Sequence, residues 1–496
     1  MLQQILSKSR ATSFFFGFFL TSTSIFLSIW TPFELLMNER LQMRKGLPAY
    51  EWWLKPPDAT LKIYIFNVTN SERFLMGLDE KMVINQVGPI VFREDWVHSN
   101  VIFNSNSTIS YNVKKTPKYD EKENELSLNS VVVVPNMAFL GSASFLTNSP
   151  YLIKFGFKSM ISMLETQPFI NLTIQNLLYN FTDPLLEFVH RYIPSLAPTD
   201  NMGILNNLYE RFGDNVTAFM GTKSGHSLFS LIDRYNGEKG IPGYNEQCKD
   251  VITNASEAVT FNQFVTKDQD LLYYRKLLCR VAKLIYQKEV KRYGLLGYKF
   301  VVPGDVFNRT FPPEDDCYKS NPTLLDGLSD LSNCLYSFPL AGSFPHFLYG
   351  NQQLQRQVLG LTPQEAAHRS YVIVEPITGL PLEEKAMIQL NIHVKSLSGF
   401  NNNVLNKFSD SIVPMFWLEF SMLNLPYHII LLIYSALTVK YLQWVFIIII
   451  FYLGLKLIRK SWINNVGAKT KISKDDVKVE TLEENESFLM KNHINR

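Results

Sequence analysis

From Ala11 to Thr31 the chain carries no ionisable side chain, and the stretch is filled by Phe14, Phe15, Phe16, Phe18, Phe19, Leu20, Ile25, Phe26, Leu27, Ile29 and Trp30. About 20 apolar residues cross the roughly 30 Å hydrocarbon core of a bilayer, so this segment is long enough to span one. A cleaved signal peptide would have an apolar region of about 7 to 15 residues and a small-residue cleavage site. Here Trp30, Pro32 and Phe33 follow the serines, and an uncleaved anchor is expected. A second apolar segment, Tyr441 to Ile458, contains the run Val445 to Phe451 and is followed at once by Arg459 and Lys460. Its apolar character begins near Ile429, and a helix from there, rising 1.5 Å per residue, would overshoot the bilayer. Lys440 interrupts it. A lysine costs roughly 2.5–3.5 kcal/mol at the bilayer centre but snorkels at the interface, which places Lys440 at the outer boundary.

The flanking charges set the orientation. Lys8 and Arg10 hold the N-terminus in the cytosol, and Lys456, Arg459 and Lys460 do the same for the tail. The expected division is a cytosolic N-terminus (1–10), a membrane helix (11–31), an outer domain (32–440), a second membrane helix (441–458) and a cytosolic tail (459–496). The plasma membrane is the expected residence, with a lysosomal or endosomal membrane as the alternative. An acidic dileucine signal would need Asp or Glu four residues before its Leu, and Asn485 stands there before Leu489-Met490, which favours the surface.

Two features agree with an outer domain. Asn-X-Ser/Thr triplets occur at Asn67, Asn106, Asn171, Asn180, Asn215, Asn254 and Asn308, all between the spans, and the triplet at Asn485 is read as chance. The four cysteines, Cys248, Cys279, Cys317 and Cys334, also lie there, and an even count in an oxidising compartment predicts two disulfides with three possible connectivities. No CxxC pair exists, against zinc and thioredoxin-like readings.

Hydrophobic residues make up 46% of the chain and charged residues 19%, which excludes wholesale disorder. A net charge of +3 without a basic block excludes a nucleic-acid reader. Between the spans the pattern is mainly β. Ile388, Leu390, Ile392 and Val394 alternate with polar residues, as do Leu61, Ile63 and Ile65 with Lys62 and Tyr64, and Val131 to Val134 reads as a strand buried on both faces. Leu152 to Val189 is the helical exception: Phe157, Met160, Ile161 and Leu164 recur at i, i+3, i+4 and i+7, as Ile174, Leu177, Leu178 and Phe181 do after Pro168. There is no HExxH, no P-loop and no GxSxG, and the eight histidines show no metal-ligand spacing; His346, in an aromatic run, reads as a satisfied structural histidine. Neither an enzyme nor a cofactor is expected.

Several stretches, in order, resemble one family. They are Ile65-Phe66-Asn67-Val68-Thr69-Asn70; Val87-Gly88-Pro89 with Phe92-Arg93-Glu94; Leu177-Leu178 with Asp183-Pro184; Phe344-Pro345-His346-Phe347; and His368-Arg369 leading to Glu375-Pro376-Ile377-Thr378-Gly379. The chain resembles the class B scavenger receptor family, of the cluster of differentiation 36 and lysosomal integral membrane protein type. The resemblance implies a large antiparallel β-barrel domain with inserted helices, a helical apex at 152–189 and an apolar tunnel leading toward the bilayer. It pairs Cys248 with Cys317 and Cys279 with Cys334; a third bridge that many members carry is absent. Two such bridges contribute about 3 to 4 kcal/mol each in the chain-entropy model.

The implied function is a membrane scavenger receptor that binds hydrophobic ligands or lipoprotein particles and passes fatty acid, sterol or carotenoid to the membrane. A conduit of this kind removes the barrier of roughly 0.8 kcal/mol per CH₂ that a lipid meets in water. Expected partners are lipids, lipoprotein particles or lipid-carrier proteins. Some relatives carry clustered lysines at the apex; here Glu165 stands in that segment, and the expected ligand-binding surface is the apolar set Phe155, Phe157, Met160, Ile161 and Leu164. A sensory co-receptor for hydrophobic odorants and a lysosomal sorting receptor for a soluble protein are the alternatives.

Overall fold

The alternation around Leu61 builds strand β1 (Ala59–Val68), in which Leu61, Ile63 and Ile65 are fully buried on one face. In the computed structural model, residues 2–194, 199–210, 214–241, 248–318, 320, 322–335 and 338–493 are described. They form two compact units, one of residues 40–430 and one of the two chain ends.

The larger unit is mainly β. After β1 come β2 (Met82–Phe103), β3 (Thr108–Tyr119), β4 (Val131–Pro135), β5 (Phe169–Thr173), β6 (Asp214–Phe219), β7 (Ile232–Tyr235) and β8 (Leu271–Arg275). They continue as β9 (Arg280–Arg292), β10 (Leu295–Val301), β11 (Ser329–Asp330), β12 (Leu340–Ser343), β13 (Val358–Leu359), β14 (Tyr371–Val374), β15 (Pro381–Val394) and β16 (Ser411–Met422). The main sheet runs β7-β6-β3-β2-β1-β16-β15-β14-β10-β9-β8 through antiparallel ladders, with β11, β12 and β13 attached beside it.

This order corrects the expected barrel. Closure would need a ladder between β7 and β8, and the sheet ends at both. The irregular backbone of Asn254–Ser256 runs between these edges: on the β7 side Ile232 donates its N–H to the Ala255 carbonyl and accepts the Asn254 N–H, and on the β8 side Ser256 donates to the Leu272 carbonyl and accepts the Tyr274 N–H. The two edges are covered without becoming neighbours, so the domain is a curled, open sheet.

Tertiary packing also changes which faces meet water. β15 has the expected period, but its polar side is buried too: Gln389 and Asn391 are fully enclosed, paired with β12 alongside and held against the turn at His346. Asn391 donates to the Ala341 carbonyl at 3.0 Å and to Ser343 at 3.1 Å, so burial leaves its amide satisfied. β4 is less enclosed than expected, with Val132 and Val134 buried and Val131 exposed. Its partner β5 lies inside the segment read as helical; the helix Tyr151–Met163 has already ended at Leu164 and Glu165, the latter at φ +51°, before Pro168 is reached. The helices Ile174–Tyr179 and Pro184–Tyr192 follow, capped by Thr173 and Asp183, whose side chains accept from Asn176 N–H and Leu185 N–H.

The smaller unit is a helix pair. The helix Leu2–Ile29 contains an 18-residue apolar span, Thr12–Ile29, and the helix Tyr427–His493 contains a 37-residue one, Tyr427–Ile463. The two meet where side chains are small. A Cβ on Gly17 would lie 2.9 Å from the Gly454 carbonyl oxygen, and one on Gly454 would lie 2.5 Å from Thr21 Oγ1. Ser24 donates to the Ile447 carbonyl at 2.9 Å, and Gln443 Oε1 accepts the Phe33 N–H at 3.0 Å. Lys440 Nζ stands 5.9 Å from the Phe33 ring. Close packing and interhelical hydrogen bonds are what holds helices together where lipid removes the hydrophobic drive.

Candidate ligand-binding site

The inner side of β2, β3 and β8 departs from the apolar pattern of a core. Along β2 the inward parity runs Phe92, Glu94, Trp96, His98, and all four are buried. Inward parity also brings Lys115 from β3 and Arg275 from the end of β8 to a cavity of about 560 Å³. Glu94, Asp214, Glu257, Tyr179, Tyr209 and Tyr235 add polar walls, and Leu205, Leu208, Leu335 and Phe420 add apolar ones. The volume lies within the 300–1,000 Å³ typical of small-ligand sites.

The acids in this cavity have partners. Tyr209 donates to Glu94 Oε1, Tyr111 donates to Glu257 Oε2 at 2.7 Å, and Asp214 lies 3.8 Å from Lys276. Burial raises the Glu257 carboxyl, an effect that the Tyr111 hydrogen bond and the Lys115 charge partly offset. The two central cations are held differently. Lys115 Nζ sits 4.1 Å from the Trp96 ring centre, and the Arg275 guanidinium lies 3.9 Å from Phe420 and 5.7 Å from the same Trp96. Among the described residues neither makes an ion pair within 4.0 Å or donates a hydrogen bond to protein. Burial lowers the Lys115 ammonium, and the Arg275 charge lowers it further. Arg275 also borders a second, smaller cavity of about 40 Å³ that includes Glu384. Burial raises that carboxyl to about 7 despite the Arg275 and Lys115 charges.

The five residues expected to bind ligand divide between two faces of the helix Tyr151–Met163 and its end. Phe157 and Ile161 are buried, with Phe157 5.7 Å from the Phe400 ring. Met160 and Leu164 are half-buried against the same core, and Phe155 is exposed. The i, i+4 spacing that marked them is the core-facing spacing. The exposed apolar face consists of Tyr151, Leu152, Ile153, Phe155 and Met163, and none of the five expected residues lines either cavity. The charged cavity groups escaped the sequence reading because no motif joins Glu94, Lys115 and Arg275. The available signal was a charge at an inward position of an alternating strand.

The stretches behind the resemblance are structural turns and hubs. A Cβ on Gly88, at φ +130°, would lie 2.7 Å from the Ile63 carbonyl oxygen, where the β1–β2 register shifts. His346 donates its N–H to Gln389 at 2.6 Å, its Nδ1 accepts the Thr362 N–H at 3.1 Å, and its Nε2 therefore donates to Gln86 at 2.8 Å. Glu375 accepts from the backbone and hydroxyl of Thr378 at 2.7 and 2.6 Å, closing the turn on which Arg40 rests through the Thr378 carbonyl.

A sequence model of the CD36 family matches residues 12–461. The chain belongs to the CD36 family. Among similar proteins, scavenger receptor class B member 1 of Bos taurus is 27% identical over 390 residues, covering 78% of this chain and 74% of the relative. The Rattus norvegicus protein of the same name matches equally, and lysosome membrane protein 2 of Mus musculus is 25% identical over 390 residues, covering 76% and 79%. CD36-family membership carries a general lipid-handling receptor role at the membrane, and CD36-family receptors are not catalysts. Among the described residues no three His, Cys, Asp or Glu side chains are grouped to hold a metal ion.

In this CD36-family chain Cys248 is bonded to Cys317 and Cys279 to Cys334. Both bridges tie down the long segment between β10 and β12, one to the connection between β7 and β8 and the other to the turn between β8 and β9. Arg309 secures the same segment, donating to the carbonyls of Phe307, Tyr318 and Leu328. Of the seven triplet asparagines, Asn106, Asn171, Asn180, Asn215 and Asn254 are exposed. Asn67 and Asn308 are half-buried, and Asn67 Oδ1 accepts the Val133 N–H at 2.7 Å.

Proposed function

We propose that this chain is a plasma-membrane scavenger receptor that captures lipid from a lipoprotein particle or lipid-carrier protein and passes it to the bilayer. The observation that carries this reading is the 560 Å³ cavity inside a domain whose chain ends both continue into apolar helices. Capture is assigned to the exposed apolar face of the helix Tyr151–Met163, with Phe155 and Leu152 at its centre. Transfer by this route needs no nucleotide and no covalent step. Both termini are cytosolic and the domain between them is outside, in keeping with the basic residues that flank the spans.

Cells expressing the full chain and supplied with lipoprotein carrying labelled lipid test the reading. Phe155→Glu and Leu152→Glu should reduce uptake several-fold at normal surface level, because a charge on a capture face must be desolvated when apolar cargo docks. Phe157→Glu and Ile161→Glu should instead leave the protein retained inside the cell, since both side chains are core. Unchanged uptake by the first pair at normal surface level would reject the capture face. No uptake by the wild-type chain above untransfected cells would reject the receptor. Residence of the native protein in lysosomes would favour the sorting alternative.

A further inference from the structure

The alternation that turns Leu61 and Ile63 inward turns Lys62 outward, and residues paired across a ladder share a face. Pairing therefore sets Lys62 of β1, Lys385 of β15, Lys299 of β10, and Lys288 and Arg292 of β9 on the outward face, in a row that crosses the strands. Two carboxylates stand among them. Glu419 lies 3.8 Å from Lys62 and 3.2 Å from Lys385, so one acid serves two lysines. Glu383 accepts from Arg292 and from the Tyr371 hydroxyl. Lys288 and Lys299 are direct cross-strand partners, and among the described residues neither is in an ion pair. Lys299 Nζ rests 4.3 Å from the Tyr371 ring centre; burial lowers its ammonium, and the Lys288 charge lowers it further. Like charges directly opposite on adjacent strands are destabilising, so sheet stability does not account for this pair.

Two features select among anionic partners. Among the described residues on this face between Lys62 and Lys288 no large apolar side chain is exposed, and Ile373 and Met387 are buried. The face thus lacks both the apolar wedge that enters a lipid surface and the apolar centre of a protein interface. No Asn-X-Ser/Thr triplet falls on β9, β10, β14, β15 or β16, so no N-linked sugar is attached there to obstruct a partner. We propose that this outward face binds a linear sulfated polysaccharide, with Lys288, Lys299 and Arg292 holding its sulfates and Lys385 and Lys62 extending the track. From β1 to β9 the row crosses five strand-to-strand steps, about 24 Å at roughly 4.8 Å each, which suits several sugar units rather than one small anion. Sulfates accept charge-assisted hydrogen bonds from ammonium and guanidinium groups, and an anion between Lys288 and Lys299 relieves their repulsion. Such binding requires the outer placement of the domain that the receptor reading gives it, and does not depend on which lipid the receptor carries.

The test uses the full chain in nanodiscs of zwitterionic lipid and an interferometry tip carrying heparin dodecasaccharide. The wild-type protein should bind the sulfated chain, release it as salt is raised, and bind the desulfated chain about tenfold more weakly or less. Lys288→Gln combined with Lys299→Gln should weaken binding about tenfold without lowering the melting temperature, because the change removes a like-charge pair. Lys154→Gln combined with Lys158→Gln, on the helix Tyr151–Met163, should leave binding unchanged. Full binding by the Lys288 and Lys299 double variant would overturn the site. So would equal binding of sulfated and desulfated chains by the wild-type protein, an outcome that needs no variant to fold. Binding to vesicles containing phosphatidylserine, with none to the saccharide, would assign the face to a lipid surface and overturn the proposal as well.

Discussion

His346 and His368 stack at 4.5 Å inside the domain, and the protein keeps both neutral. Burial lowers each to about 4, with the neighbouring ring adding to the effect on His346; His98, shut between Trp53 and Tyr111, is lowered by burial to about 3. An unperturbed histidine titrates near 6.5, so below that pH the unfolded chain takes up protons that the folded chain refuses. This contribution to stability is complete above about pH 6.5 and is lost as the pH falls toward 4. Glu384, raised to about 7, works in the opposite sense: its contribution is present below the ordinary carboxylate range and is lost as the pH rises through 7. The melting temperature of the full chain in detergent should therefore fall between pH 7 and 4.5, and fall more steeply in Glu384→Gln. A flat profile in both would contradict the neutral histidines. Exposure sets a second expectation at this scale. Glycopeptide mapping should find sugar on some of Asn106, Asn171, Asn180, Asn215 and Asn254 and none on Asn67, whose amide is held by Val133.

Among the elements, the helix pair shows most directly how a residue choice becomes a contact. Only glycine lets the backbones approach at Gly17 and Gly454, and Thr21 and Ser24 add polar contacts along the same seam. Cysteines placed at Ser24 and Ile447 should cross-link in membranes, and Gly17→Leu or Gly454→Leu should reduce the yield several-fold. Undiminished cross-linking in both leucine variants would show that the approach does not depend on small residues. The apolar character of both spans was legible in the sequence, as was the helical spacing of Tyr151–Met163; its stripe was expected as a ligand-binding surface, and the folded domain buries Phe157 and Ile161. Strand β5 was not, because its reason to be extended is β4, which lies more than thirty residues earlier in the chain.

At the scale of the molecule, one irregular segment covers the two open sheet edges, and two disulfides tie down the long segment between β10 and β12. The Cys279–Cys334 bridge closes 55 residues of chain, which in the chain-entropy model corresponds to about 4 kcal/mol. Replacing both cysteines with serine should lower the melting temperature by several degrees and reduce the surface level, measurable by calorimetry and flow cytometry; unchanged values would assign the bridge no structural role. Topology is tested on intact cells, where external protease should spare the tail beyond Arg459 and degrade the domain before it.

Sequence by itself determined what depends on local order. A long run of uncharged, mostly apolar residues is stable only in a bilayer or a core, and alternation at period two yields a strand. Tertiary structure alone decided what depends on residues far apart. Whether β7 meets β8 is a matter of sheet curl and of the Asn254–Ser256 segment lodged at the edges, so the expected barrel remained open. Whether the polar side of β15 met water depended on the His346 turn and on β12, whose groups bond Gln389 and Asn391. Glu94, Lys115 and Arg275 came to line one cavity because β8, distant in the chain from the β2–β3 pair, turns its inward positions toward the same space. Strand periodicity says that a side chain points inward, and only the folded sheet says what it finds there.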